Sequence, residues 1–327
     1  MFTLKVKNIN DALVPAAQLL QARGRIISPR NGEETIELVE PLTTTYTRPQ
    51  ERVLLLKERD ANPFFHLMES LWILAGRDDV TFLTRFNKRM SEFSDNGERF
   101  NAAYGYRLRN HFTRDQIKEA LELLQHEPDT RRCVLQIWDC DHDLNYESKD
   151  IPCNDIIFVK IRDQKLHFTV CCRSNDMIWG AYGANVVQFS MLQEYMAGKL
   201  EIEMGSYNQI SDSFHVYTNN PQWKAISELP YADYNPYKYA VQSVPIMYNP
   251  DKWDEDLTQF LSHVDSWNMY NNTYMYHNNW FRDVAEPMYL TWRLHKEDKT
   301  GYKHYANIQA SDWRTAAEYW LITREEF

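Results

Sequence analysis

The sequence has no apolar run of about 18 residues, so nothing in it reads as a membrane span. Its first residues, Met1-Phe2-Thr3-Leu4-Lys5, lack the long apolar core of a signal peptide. Cysteine is scarce and unpaired. The five residues Cys133, Cys140, Cys153, Cys171 and Cys172 make an odd count, and no two have the CxxC spacing of a zinc site. No metal is expected, and the thiols fit a reducing cytoplasm, that of the host if the chain is phage-encoded. Positive charge is in deficit, with 36 Lys and Arg against 46 Asp and Glu and a net charge of −10. That argues against a general nucleic-acid surface, and a small anionic substrate would need local arginines working against the overall field. Neither a Pro/Gly/Ser-rich linker nor an internal repeat divides the chain. The expectation is one domain over 1–327, with about 221–327 a C-terminal extension.

What is present is ordinary in bulk and unusual in rings. Hydrophobic residues make 43% and charged residues 25% of 327, enough for a sizeable core. Aromatics reach 14%, with 10 Trp and 20 Tyr, which suits a heavily packed core or a flat-ring ligand. Asn62 to Ala75 is almost wholly apolar and ends at Gly76, a nearly buried helix with Glu69 in its middle. Thr113 to Gln125 reads as an amphipathic helix capped by Thr113. Cys133 to Trp138, Ile156 to Ile161 and Leu166 to Cys172 read as strands, the last two joined by a turn at Gln164-Lys165. Asn185 to Ala197 returns to helical periodicity, Asp212 to Tyr217 is mixed, and Ser311 to Arg324 reads as a last amphipathic helix. Strands in the middle with helices around them make the fold class α+β.

Three features bear on chemistry. Cys153 follows Pro152 and precedes Asn154-Asp155, a polar setting for a core filler; it is either an inert buried thiol or a nucleophile. A nucleophilic cysteine needs a cation to favour its thiolate, and Arg173 in the next strand could supply one. Glu69 is costly in an apolar helix unless it is paired or functional, so it is either a partly exposed salt bridge or a general acid/base. Arg131 and Arg132 are either a solvated turn or, with Arg30 and Arg173, candidates for bidentate phosphate binding.

Taken together, these segments resemble the thymidylate synthase superfamily, which includes the pyrimidine nucleotide hydroxymethylases. Met68-Glu69-Ser70-Leu71-Trp72 resembles that family's H-E-L-L-W helix, and Tyr104-Gly105 its Y-G motif. Pro128-Asp129-Thr130-Arg131-Arg132 is similar to P-D-S-R-R, Pro152-Cys153 to the P-C nucleophile, and Arg173-Ser174-Asn175-Asp176 to R-S-x-D. Asn185 resembles the pyrimidine-reading Asn, and His215-Val216-Tyr217 the H-x-Y motif. The motifs keep the family's order over about residues 25–220.

The resemblance implies a central mixed sheet surrounded by helices and a one-carbon transfer to C5 of a pyrimidine deoxynucleotide monophosphate, dUMP or dCMP. Cys153 would add to C6, and Tyr104 would be a further catalytic residue. Glu69 would move protons through water, and Asp176 would hold the pterin of 5,10-methylenetetrahydrofolate. Arg30, Arg131, Arg132 and Arg173 would bind the 5′-phosphate, with Arg131 and Arg132 reaching the partner's nucleotide in an obligate homodimer with shared sites. Asn185 would read the base, and His215 and Tyr217 the 3′-hydroxyl. Ser174 keeps the pattern of deoxynucleotide enzymes.

The departures set the branch. Asn154 stands where methylating enzymes have His. Gly180 to Asn185 is one residue longer than their loop and has no proline. Arg89-Met90-Ser91-Glu92-Phe93 replaces their folate-side Trp, and the end, Thr323-Arg324-Glu325-Glu326-Phe327, is acidic rather than an apolar lid. Admitting water to the methylene formed at C5 gives a hydroxymethyl product, whereas hydride transfer gives a methyl. The departures favour hydroxymethylation, with reductive methylation of dUMP to dTMP the alternative, and Asn185 favours uracil. A silent nucleotide-binding or RNA-binding homologue and a cysteine hydrolase remain lesser alternatives.

Overall fold

Strands form where β-branched and aromatic residues alternate with polar ones. The computed structural model describes residues 1–28, 32–230, 232, 234–267, 274–297 and 299–324. Among these residues the strands are β1 (Phe2–Val6), β2 (Arg25–Ile27), β3 (Thr35–Glu37), β4 (Leu42–Tyr46), β5 (Val134–Gln136), β6 (Asn154–Arg162), β7 (Lys165–Asp176) and β8 (Glu203–Tyr217). They join in one mixed sheet in the order β1-β4-β8-β7-β6-β5, and the β2–β3 hairpin attaches to the end of β8. β1 runs parallel to β4 and β7 parallel to β8, while the other pairs are antiparallel. Helices pack around this sheet, so the α+β expectation holds.

Register decides where the chemistry sits. The β6–β7 turn falls at Asp163 and Gln164, both left-handed with φ of 52° and 59°, one residue before the expected Gln164-Lys165. Two successive left-handed residues give the tight hairpin whose twist matches its strands. From that turn, pairing runs back to Asn154 opposite Cys172, with a shift in register between Asn154 and Ile156. β7 then lies parallel to β8, with Ser174 beside Ser213 and Asp176 beside His215. Cys153, Ser174, Asp176, His215 and Tyr217 therefore reach one end of the sheet. Asp212 to Tyr217, read as mixed, is the last part of the 15-residue β8. Its alternation is broken because this stretch carries polar site residues and gains β3 as a second neighbour.

The alternation buries one face of the sheet. Leu135, Ile157, Val159, Phe168, Val170, Cys172 and Tyr207 enter the core. On the opposite face Val134 and Phe158, which are cross-strand partners, stay 42% and 46% exposed.

The Pro63–Leu74 helix starts as its residues dictate. Asn62 accepts a hydrogen bond from the Phe65 N–H at 3.0 Å, and Pro63 occupies the first turn. All twelve of its residues are buried. One side packs on the Asn185–Lys199 helix. The other meets rings from the C-terminal segment, with Phe64 at 5.4 Å from Trp292 and 5.6 Å from Trp320. Trp253, Trp280 and Trp292 are buried and Trp267 is half-buried, so these rings serve the packing of the segment. The C-terminal helix runs Ser311–Ile322, and Arg324 beyond it pairs with Asp60 at 2.7 Å and lies over Trp320 at 4.0 Å. Glu325, Glu326 and Phe327 lie outside the described residues. No helix among the described residues is long and apolar enough to cross a membrane.

The amphipathic helix expected from Thr113 begins instead at Gln116 and runs to His126. Thr113 is left-handed at φ 58° and cannot cap it. Asp115 does so, accepting from the Lys118 N–H at 3.0 Å.

A buried ion pair holds the loop that leads to the site. Arg107 is fully buried and donates to both Asp143 oxygens and to the Asn101 and Ile137 carbonyls. Asp143→Ala leaves that guanidinium charge uncompensated. It is expected to lower unfolding free energy by about 3–5 kcal/mol, read by urea denaturation at constant m.

Candidate active site

One cavity of about 740 Å³ opens at the end of the sheet that carries the motif residues. Cys153, Glu69, Tyr104, Ser174, Asp176, Asn185, His215 and Tyr217 all line it. They come from the residue before β6, the Pro63–Leu74 helix, the short Tyr104–Tyr106 helix, the end of β7, the Asn185–Lys199 helix and the end of β8.

Cys153 is half-buried and carries no disulfide. Burial pushes its thiol up, and the Arg173 guanidinium pulls it back toward ionisation. Arg173 does not line the cavity. It donates to the Pro152 carbonyl at 2.8 Å and the Ile151 carbonyl at 3.2 Å, so it braces the loop that presents the thiol. The Tyr104 side chain lies beside both Cys153 and Asn154, close enough for their fields and hydrogen bonds to act on its hydroxyl. Gly105 explains how Tyr104 gets there. A Cβ on Gly105 would stand 2.1 Å from the Ile73 carbonyl oxygen, so only glycine lets this turn lie directly on the Glu69 helix.

Glu69 is 8% exposed and has no salt bridge among the described residues, which goes against the reading of a partly exposed ion pair. Burial raises its carboxyl to about 8, and a hydrogen bond from Gln188 acts against that rise. It is therefore mostly protonated at neutral pH. Asp176 uses one oxygen to cap the turn that follows β7, accepting from the Trp179 N–H. Its other oxygen is buried with no partner among the described residues, and burial raises its carboxyl as well. Asn185 is buried and donates to Asn175 Oδ1 at 3.0 Å, while Asn175 donates to Ser211 Oγ at 2.9 Å. The longer Gly180–Asn185 loop therefore still delivers Asn185 to the cavity. His215 Nδ1 lies 3.2 Å from Ser213 Oγ, and its ring meets Tyr217 edge-on at 5.7 Å.

Three of the four expected phosphate arginines are described, and none lines the cavity of its own chain. Arg131 and Arg132 are exposed, and Arg132 pairs with Glu127 at 2.7 Å. Arg30 lies outside the described residues.

Gln188 and Trp179 carry no signal in the sequence: they sit inside ordinary runs, and only three-dimensional packing selects them, while Asn175 and Phe93 stand in quoted motifs with no role assigned to them alone. Trp179 and Phe93 approach to 6.3 Å and Arg89 lies over Trp179 at 5.9 Å, so the wall is aromatic despite the missing folate-side Trp. Asn154, noted only as a departure, is fully buried and accepts from the Cys172 thiol at 2.7 Å.

The chain was compared with known proteins. Residues 16–229 match the family model described as Thymidylate synthase. A deoxyuridylate hydroxymethyltransferase of Pseudomonas phage M6 is 40% identical over 344 aligned positions, covering 99% of this chain and 95% of that protein. One of Bacillus phage SP01 is 44% identical, covering 60% of this chain and 54% of that protein. One of Delftia phage PhiW-14 is 29% identical, covering 64% of this chain and 60% of that protein. The first of these alignments takes in nearly all of the last hundred residues, where the sequence motifs are silent.

Proposed function

The chain belongs to the thymidylate synthase family, and from that premise we propose that it hydroxymethylates C5 of deoxyuridylate. The observation that carries the reading is that Cys153, Glu69 and Asn185, from three separate elements, face one cavity. The names of the phage relatives support the uracil base and the hydroxymethyl product.

Each side chain has a part. The Cys153 thiolate adds to C6, which turns C5 into an enolate-like nucleophile. Arg173 favours the thiolate and holds its loop. Asn185 both donates and accepts, which suits the N3–H and O4 edge of uracil. Glu69, protonated at neutral pH, gives a proton toward O4 through water. His215 and Tyr217 take the 3′-hydroxyl. The partnerless buried oxygen of Asp176 is the acceptor that a pterin N–H needs, and the aromatic wall of Phe93 and Trp179 suits a flat ring. Methylenetetrahydrofolate, bound there, would supply the one-carbon unit.

Arg131, Arg132 and Arg173, the described arginines expected at the phosphate, do not line the cavity of their own chain. We assign phosphate binding to Arg131 and Arg132 of a second copy, docked on the open sheet face beside Val134 and Phe158. Phe158→Glu puts a charge on that face. It is expected to shift sedimentation from dimer to monomer and to cut kcat/KM by about 100-fold or more. A fully active monomer at assay concentration defeats the shared site.

The product test is direct. Incubate the protein with dUMP and methylenetetrahydrofolate and weigh the nucleotide. A hydroxymethyl gain with no dihydrofolate absorbance is expected. A methyl gain matched by dihydrofolate would show reductive methylation instead.

A further inference from the structure

Besides the Asp176 oxygen, two buried oxygens of cavity-lining residues have no hydrogen-bond partner among the described residues: Glu69 Oε2 and Gln188 Oε1. Both residues line the cavity and both are nearly inaccessible, at 8% and 4% exposure. They stand on the two helices that pack together beneath the site, Pro63–Leu74 and Asn185–Lys199. The two side chains lie close enough for the Gln188 amide to act on the Glu69 carboxyl, and each keeps one oxygen over.

A buried polar atom left unpaired costs about 1–3 kcal/mol, so two such atoms in one wall call for a shared partner. Water fits, because it has two protons to donate and needs a polar niche with two or more partners. Gln188 lies three residues after Asn185 on the same helix, hence on the same face and about 5 Å further along. A water on Gln188 is thus one helical turn from the amide that holds the N3 and O4 edge of the base. C5 neighbours C4 on that side of the ring.

We propose, resting on the hydroxymethylation reading above, that Gln188 is a positioning residue which, with Glu69, seats the water that attacks the methylene formed at C5. The electrons balance without oxidant or reductant. The water oxygen forms a bond to the exocyclic carbon as the C5=CH₂ pair moves through the ring to O4. One water proton passes to Glu69, which has already given its own proton toward O4. The O4 pair then returns, C5=C6 forms, and the C6–Sγ bond breaks to free the Cys153 thiolate. Water is the only co-reactant. The amide thereby sets the competition between water and any other nucleophile for that carbon.

The test separates methylene formation from methylene capture. Release of tritium from C5-tritiated dUMP counts the first, and 5-hydroxymethyl nucleotide counts the second. Added 2-mercaptoethanol supplies a rival nucleophile, and its capture product is a thioether. In Gln188→Met, which keeps the length and loses the oxygen, tritium release persists. Hydroxymethyl product per tritium released falls about tenfold or more, and the thioether share rises to match. Gln188→Asn, which withdraws the amide by one methylene, gives a smaller shift in the same direction and keeps the test standing if the Met variant folds poorly. A purely structural role would lower all three signals together and leave their ratios alone.

Unchanged ratios in both variants, with a wild-type enzyme that hydroxymethylates dUMP, overturn the role of Gln188 alone. A wild-type enzyme that makes thymidylate overturns the product reading, and this role with it.

Discussion

Cys153→Ser is expected to lower kcat by about 10⁴-fold or more while the fold and dUMP binding survive. The hydroxyl has nearly the thiol's size, so the half-buried site accepts it. It cannot ionise usefully there, because burial already works against even the thiolate and Arg173 only partly offsets that. The loss should fall on the earliest step. Tritium release from C5 stops, and no covalent protein–nucleotide adduct is seen by denaturing mass spectrometry. A serine variant that keeps substantial turnover defeats addition at C6 by this residue. The other four thiols offer no substitute, since none lines the cavity.

Glu69→Gln should cost about 10²–10⁴-fold in kcat and change its pH dependence. In the wild type, Glu69 is needed protonated for the first transfer. Its carboxyl sits at about 8, so its protonated fraction falls as pH rises through that region. Burial holds the Cys153 thiol above its ordinary value, so thiolate is still accumulating there and the two slopes offset: rate rises up to about pH 8 and then levels off. The amide variant, which has no proton to lose, should keep the thiol limb and go on rising through pH 8. A levelling near pH 8 that survives in Glu69→Gln assigns it to another group.

The same shift is a stability statement. The unfolded carboxyl titrates near 4.3 and the folded one near 8. Between these values the native state binds more protons than the unfolded chain, so stability declines with rising pH. The contribution is complete below the unfolded value and is lost as pH passes the folded one. Melting temperature measured across that window should fall less steeply in Glu69→Gln than in the wild type.

Much of this site could be read from the chain because its residues break local rules. Glu69 interrupts an apolar helix and Pro152-Cys153 sits among polar neighbours. Asn62 and Pro63 announce the helix start with a cap and a fixed φ. Other features were hidden for physical reasons. Gln188 looks like any polar position on a helix until the Glu69 helix is laid against it. Trp179 reads as filler until Asp176 caps its turn and aims it at Phe93. The end of β8 lost its alternation because it borders the cavity. The helix after Thr113 started late because Asp115, two residues on, has the better side chain and the permitted backbone. Arg131 and Arg132 were legible as residues, but their position with respect to a nucleotide depends on a second chain.

The glycine that lets Tyr104 rest on the Glu69 helix has a consequence for descent. Ile73 lies one turn past Glu69, and Gly105 touches its backbone with no space for a methyl group. The hydroxyl beside the nucleophile and the acid across the ring are thus carried on one rigid joint. A lineage altering this enzyme cannot move either group without moving both. Innovation is therefore pushed to positions that this joint does not carry, among them the proposed base-reading Asn185 and the proposed water-seating Gln188 on the neighbouring helix.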